Sequence, residues 1–236
     1  IWIVDIHGTY ARKLTDSSRE FMGFDPKWSP DGSKIAFTRR GNIWTMKPDG
    51  SGLIQLTKGD NEYSDFSWSP DGTKIAFYRW GDSNKDNLWI MNSDGTNQRH
   101  LITGGDVFLP IEWTNDNTKI AFNSTRGGNS NIWTINIDGT GLTKLSNYLG
   151  TSLRWSSDGT KIAAIHRLTA QFWVMDSDGS NITDLDTGDV MVSDSDQRPS
   201  WSQDGKKILF LGHKKDGDEL SENFYILTLP PHLQAG

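Results

Sequence analysis

The sequence predicts an all-β protein folded as a β-propeller, in which short four-stranded antiparallel blades repeat around an axis. Three observations predict it. A motif of Trp, a small polar residue and a turn recurs at Trp28, Trp68, Trp113, Trp155 and Trp201, at spacings of 40, 45, 42 and 46 residues. Self-similarity at such a period marks propellers and other repeat arrays. A second half-motif, an apolar residue, Trp or Tyr, then Thr or an apolar residue and a further apolar residue, alternates with the first and runs into Asp-Gly in four cases. The 236 residues also include 24 Gly, 11 Trp and 8 Pro, a composition suited to many short strands joined by tight turns.

Each period holds four strand-length segments, A to D, which in the first full period are Phe24 to Ser29, Lys34 to Thr38, Asn42 to Lys47 and Leu53 to Thr57. In the A to B turn, Trp28-Ser-Pro-Asp-Gly32, Pro30 suits the first corner of a type I turn and Gly32 can take positive φ. The third repeat reads Trp113-Thr-Asn-Asp-Asn117, and Asn is the residue that best replaces Gly in left-handed backbone. Asn117 is therefore expected at positive φ. Strand B carries three apolar residues in a row, as in Lys74-Ile-Ala-Phe77. Such a strand is buried on both faces, which favours stacked blades over a sandwich with one solvated face per sheet. Strand C, as in Asn87-Leu-Trp-Ile-Met91, runs into the Asp-Gly signal of a hairpin to strand D. Ile1-Trp-Ile-Val4 with His7-Gly8 is the earliest such half, so six second halves accompany five first halves.

Composition bounds the function. The formal charge of −6, from 24 Lys and Arg against 30 Asp and Glu, disfavours a phosphate-tracking surface, so no nucleic-acid partner is expected. A mean hydropathy of −0.59 and apolar runs of strand length only, Ile1 to Ile6 and Phe224 to Leu229, argue against membrane insertion. The absence of cysteine removes disulfides, thiolate metal sites and cysteine nucleophiles. Ile1 opens the sequence inside a strand-like segment, which suggests a processed product or a piece of a longer chain. No Gly-X-Ser-X-Gly elbow, P-loop or His-X-X-X-His pair occurs. Neither catalytic residues, a cofactor nor a metal is expected. The acidic stretch Asp184, Asp186, Asp189, Asp194 and Asp196 could offer oxygen ligands to calcium, but it reads first as a solvated loop.

In a meander blade the A to B and C to D turns share one rim, and the B to C and D to A loops share the other. The first set repeats nearly unchanged, whereas Arg79 to Asp86, Asp186 to Gln197 and Gly212 to Glu222 repeat nothing. Variable loops on a rigid scaffold are where binding resides. These segments carry Trp80, Asp194 and Asp196, and Trp80 is the tryptophan that breaks the repeat; the other motif tryptophans belong to the packing. One and three residues before each strand A tryptophan stand polar residues, among them Asp65, Glu112, Arg154 and Arg198. They are expected beside a wet central channel. Two readings stay open: mutual ion pairs that stitch neighbouring blades, or a row that reads a ligand.

Units such as Trp68-Ser-Pro-Asp-Gly-Thr-Lys-Ile-Ala-Phe77 and Asn87-Leu-Trp-Ile-Met-Asn-Ser-Asp-Gly95 resemble the repeats of the TolB-type propeller family. The resemblance covers residues 1–229 and leaves 230–236 as a C-terminal tail. It implies six blades with an incomplete one at the termini. The rival is a five-bladed ring in which Tyr10 to Leu14 supplies the outer strand of the last blade. It also implies a periplasmic or extracellular, bacterial cell-envelope setting and a non-catalytic module that binds a protein or peptide, by resemblance an envelope lipoprotein, with a glycan as the other ligand class. The alternative is an accessory or substrate-gating propeller of a larger hydrolase or peptidase. The ligand-binding set is Trp80, Asp65, Arg198, Asp194, Asp196, Arg154 and Glu112.

Overall fold

The computed structural model describes residues 1–15, 24–59, 63–79, 87–102, 107–126, 128–147, 150–166, 169–192, 199–216 and 219–235. The chain divides into two compact units, Ile1–Asp106 and Val107–Gly236. In the first unit the strands are β1 (Trp2–Val4), β2 (Ala11–Lys13), β3 (Phe24–Trp28), β4 (Ile35–Arg39), β5 (Asn42–Met46), β6 (Ile54–Gln55), β7 (Tyr63–Trp68), β8 (Lys74–Arg79), β9 (Asn87–Asn92) and β10 (Arg99–Ile102). They form a β1–β2 pair and two meanders, β3-β4-β5-β6 and β7-β8-β9-β10, all antiparallel. Ala11–Lys13 thus pairs with Trp2–Val4.

The second unit contains β11 (Val107–Trp113), β12 (Lys119–Ser124), β13 (Asn131–Asn136), β14 (Thr143–Lys144), β15 (Gly150–Trp155), β16 (Lys161–His166), β17 (Phe172–Asp176), β18 (Thr183–Leu185), β19 (Val190–Val192), β20 (Ser200–Trp201), β21 (Lys207–Asp216) and β22 (Glu219–Thr228). Two further meanders, β11-β12-β13-β14 and β15-β16-β17-β18, precede a sheet in which β19 and β20 both pair with the same edge of β21, and β22 pairs with the other. The β21–β22 ladder runs from Lys207↔Thr228 to Asp216↔Glu219. This corrects the reading of Gly212 to Glu222 as a loop: the segment continues the strands as an arm of two paired strands. After β22, a 3-10 turn at Pro231–Leu233 buries Leu233 in the same apolar cluster as Phe210 and Leu229.

The turns follow their chemistry. Ser29 Oγ donates to Asp31 Oδ1 at 2.6 Å, Ser33 N–H donates to the same oxygen at 3.0 Å, and Ser29 Oγ accepts Lys34 N–H at 2.9 Å. The set recurs at Ser69/Asp71, Thr114/Asp116, Ser156/Asp158 and Ser202/Asp204. Asn117 sits at φ 61°, as its place in the turn requires. The Asp-Gly hairpins hold a second left-handed position that the sequence reading passed over, filled by Gly52, Asn97, Gly141 and Asn181. Only Gly and Asn appear there, a signal legible in the sequence.

Successive sheets pack face to face. Ala36 and Ile43 of one meander meet Phe66, Trp68, Ile75 and Phe77 of the next. Ala121 and Ile132 meet Leu153, Trp155, Ile162 and Trp173 in the same way. Strand B is sealed on both faces, as its unbroken apolar run demands: Ile75, Ala76 and Phe77 are all fully buried. The outer strands are shorter than expected. Leu53 to Thr57 contracts to Ile54–Gln55, because Thr57 turns its hydroxyl inward to accept the Ile43 N–H at 2.9 Å.

Candidate functional site

The first strand of each complete meander carries an irregular register just before its tryptophan, between Phe24 and Lys27, Tyr63 and Asp65, Phe108 and Ile111, and Thr151 and Arg154. Asp25 and Ser152 occupy left-handed backbone there, at φ 51° and 52°. A bulge re-aims the side chains around it. Here it gathers the polar residues of neighbouring strands. Lys27 Nζ lies 3.0 Å from Asp25 Oδ2 and 2.5 Å from Asp65 Oδ1, and donates to Phe66 O at 2.6 Å. Asp65 Oδ1 also accepts the Phe66 N–H at 2.9 Å. In the second unit Arg154 Nη1 donates to Glu112 Oε1 at 2.9 Å.

Asp65 therefore does not face water as expected. It is buried, at 2% relative exposure, and its partners offset the loss of hydration. Glu112 is buried with Arg154 half-exposed above it. The pairs Lys27–Asp65 and Arg154–Glu112 join the first strands of successive sheets. Trp80, Asp194, Asp196 and Arg198 lie outside the described residues, as do 80–86, 193–197 and 217–218 of the variable segments.

Among the motif tryptophans, Trp68, Trp113 and Trp155 are buried, but Trp28 is 49% exposed. This corrects its assignment to the packing. No first-strand residues of a preceding sheet cover it among the described residues.

The variable end of the last sheet was missed as structure. β19 pairs with the extension of β21, so Met191 lies opposite His213, and His213 Nε2 approaches Glu222 Oε1 at 3.4 Å across β21–β22. Met191 is exposed. The Asp216-Gly217 pair was the available signal. At the opposite, conserved-turn end of the second unit, a cavity of about 490 Å³ is lined by Asn115, Asp116, Lys119, Trp155, Asp158 and Asp178, among others. The Thr114 hydroxyl and then the Thr118 amide and hydroxyl hold the Asp116 carboxyl below its ordinary range. At Asp158 burial opposes the same effect, yet the donors Ser156 and Thr160 prevail and the pKa is again lowered. These carboxylates fasten turns and are poor proton donors. Among the described residues no group of three metal-ligating side chains forms. No described helix is long and apolar enough to cross a membrane.

Meanders stacked face to face, with ion pairs between their first strands, define a repeat-built β-propeller scaffold. The profile of the TolB beta propeller domain matches residues 67–223, and the chain belongs to that family. Residues 1–87 also match the N-terminal region of dipeptidyl peptidase IV. No curated protein sequence matches. Among solved structures, a TolB of Agrobacterium tumefaciens superposes with a TM-score of 0.69 at 20% identity, covering 95% of this chain and 86% of that one. TolB from Acinetobacter baumannii gives 0.71 at 22% identity, covering 96% of this chain and 56% of that one. A puromycin hydrolase S511A mutant complexed with PGG gives 0.74 at 16% identity, with 94% of this chain and 39% of that chain covered. At these identities the likeness speaks to the fold. The chain spans little more than half of the Acinetobacter protein and less than half of the hydrolase.

Proposed function

We propose that this propeller is a non-catalytic interaction module that binds a protein or peptide, or alternatively a glycan, through its variable rim and channel mouth, in a bacterial cell-envelope or extracellular setting. One observation carries the reading. The two ends of the sheets differ: every A to B turn is the same hydrogen-bonded device, while the opposite end grows a pair of ten-residue strands, β21 and β22, with exposed Lys214 on β21 and exposed Met191 on β19 beside it. An end free to vary on a rigid frame suits recognition. Family membership supports a protein partner, an envelope lipoprotein by resemblance. Trp80, Asp194 and Asp196 belong to this proposed rim, with Asp65, Glu112, Arg154 and Arg198, each one or three residues before a first-strand tryptophan, at the channel mouth below it.

The match of residues 1–87 to a peptidase N-terminal region favours a second reading, an accessory or substrate-gating domain of a larger hydrolase. Titration calorimetry against periplasmic domains of envelope lipoproteins and soluble glycan fragments separates the two, alongside the sequence of the full gene product. Binding that weakens by about 1 to 3 kcal/mol in Trp80→Ala or Arg198→Ala supports the module. Dependence on Lys47→Ala instead puts the site on the wrong end. An attached hydrolase domain, with no binding to either panel, favours the second reading.

A further inference from the structure

We infer that the cavity at the conserved-turn end of the second unit binds an alkylammonium group, as carried by a lysine side chain or a small free amine; the inference goes beyond the rim reading above and is independent of it. The cavity of about 490 Å³ lies between two complete meanders, β11-β12-β13-β14 and β15-β16-β17-β18. Small-ligand sites span about 300 to 1,000 Å³. The repeat supplies a comparison at each lining position. Asn115 stands where the first two repeats carry Pro30 and Pro70, and its Nδ2 donates to Ser157 O at 2.7 Å, tying its turn to the next. Thr134 lies opposite Thr143, whereas the matching pairs are Thr45 with Ile54, Ile90 with Arg99 and Val174 with Thr183. Among the complete meanders, this one alone sets two hydroxyls there, and both residues line the cavity.

The Thr143 hydroxyl donates to Gly141 O at 3.0 Å. That of Thr134 has no hydrogen-bond partner among the described residues, although the residue is only 5% exposed. A buried hydroxyl left unmatched is costly, and a ligand that supplies the missing partner relieves it. Charge then selects the ligand. Asp116, Asp158 and Asp178 line the cavity against a single cation, Lys119. Turn donors hold all three carboxyls below their ordinary range, at Asp178 the Ser180 hydroxyl and then its amide, so they are ionised at neutral pH. All three turn bonds of Asp116 go to Oδ1, and Oδ2 keeps its lone pairs for another donor. An anion is repelled from such a site, and a neutral alcohol leaves the excess negative charge unanswered. An ammonium group answers it with N–H donors and no acceptor, while its alkyl stem packs against Trp155 and Leu145 on the same wall.

The probes are cadaverine, for a free amine, and Nα-acetyl-lysine amide, for a side chain, each titrated into the whole chain while NMR follows the Thr134 amide and the Trp155 indole N–H. Pentanol is the uncharged counterpart. Saturable shifts with an amine, weakened by added salt, are expected, and none with pentanol. Tighter binding of cadaverine assigns a free amine as the source, and tighter binding of the lysine derivative a lysine-bearing partner; either supports the site. Asp178→Asn keeps the acceptor for the Ser180 amide and removes the charge, so it is expected to weaken binding at least about tenfold. Thr134→Val keeps the shape and removes the hydroxyl, and is expected to weaken it about threefold or more. Asp94→Asn, at the same turn position in the first unit, changes nothing. Circular dichroism confirms that each variant is folded. Absence of saturable shifts with both amines, equal binding of pentanol, or affinity indifferent to both Asp178→Asn and Thr134→Val overturns the inference.

Discussion

Lys27 on one sheet holds the buried carboxylate of Asp65 on the next at 2.5 Å, and the same carboxylate accepts the Phe66 amide. This bridge differs from its counterpart Arg154–Glu112, whose arginine side chain is 37% exposed. Removing the buried Asp65 carboxylate leaves Lys27 with the Asp25 carboxylate alone and the Phe66 amide without its acceptor, whereas a pair whose arginine lies partly in water is worth less. Asp65→Ala is expected to lower stability by on the order of 3 kcal/mol, and Glu112→Gln by under about 1 kcal/mol. Denaturant unfolding of both variants checks the order. Equal losses would show that burial does not set the difference.

Two tryptophans of one motif supply a second contrast. Trp68→Ala should cost about 3 to 5 kcal/mol, as loss of a buried large aromatic does. Trp28→Ala, at an exposed copy of the same position, should cost about 1 kcal/mol or less. Thermal and urea melts measure both, and a comparable loss at Trp28 contradicts the packing described.

Gly179 lies at φ 90°, and a Cβ built on it would stand 2.3 Å from Leu145 O; Gly95 meets Leu56 O at 2.9 Å in the same way. The Asp-Gly glycine thus answers both to its turn and to the outer strand of the preceding sheet. Gly32, also at positive φ, faces open space. Gly179→Ala should destabilise by about 3 kcal/mol or more, from overpacking added to left-handed strain, and Gly32→Ala by about 1 kcal/mol. Comparable unfolding midpoints for the two would remove the close approach as a cause.

At the third turn, Asn117→Gly is expected to be neutral or stabilising and Asn117→Val harmful by about 1 to 2 kcal/mol, because a β-branched residue resists φ near 61°. Melting temperatures decide it. A Val variant as stable as the Gly variant argues against the left-handed turn.

The Ser29 hydroxyl, then the Ser33 amide and hydroxyl, lower the Asp31 carboxyl to about 2. Its folded pKa lies below its unfolded value of about 3.9, so the ionised form stabilises the fold fully above about pH 4, and this is lost as pH falls toward 2. The direction is the same at Asp71, Asp116, Asp158 and Asp204. Stability should decline on acidification through this window. Ser29→Ala should raise the Asp31 midpoint toward the ordinary range in an NMR titration; an unmoved midpoint would assign the shift to another donor.

The strands, their turns and the meander order were legible in the sequence because each is a local demand. Pro30 and Gly32 fix a corner, Asn117 stands in for glycine, and Ile75-Ala76-Phe77 requires cover on two faces whatever the neighbour. The polar row before each tryptophan was legible too, with ion pairs between neighbouring blades as one of its two readings, but the depth of each member was not: nothing local distinguishes the buried Asp65, clamped by a lysine 38 residues earlier, from a solvated aspartate. The arm of β21 and β22 and the exposure of Trp28 were likewise decided in three dimensions. A repeat writes the same residues at each blade because each turn has the same backbone. Burial belongs to the space between sheets, so Trp28 and Trp68 share a motif and differ in environment only through what packs against them.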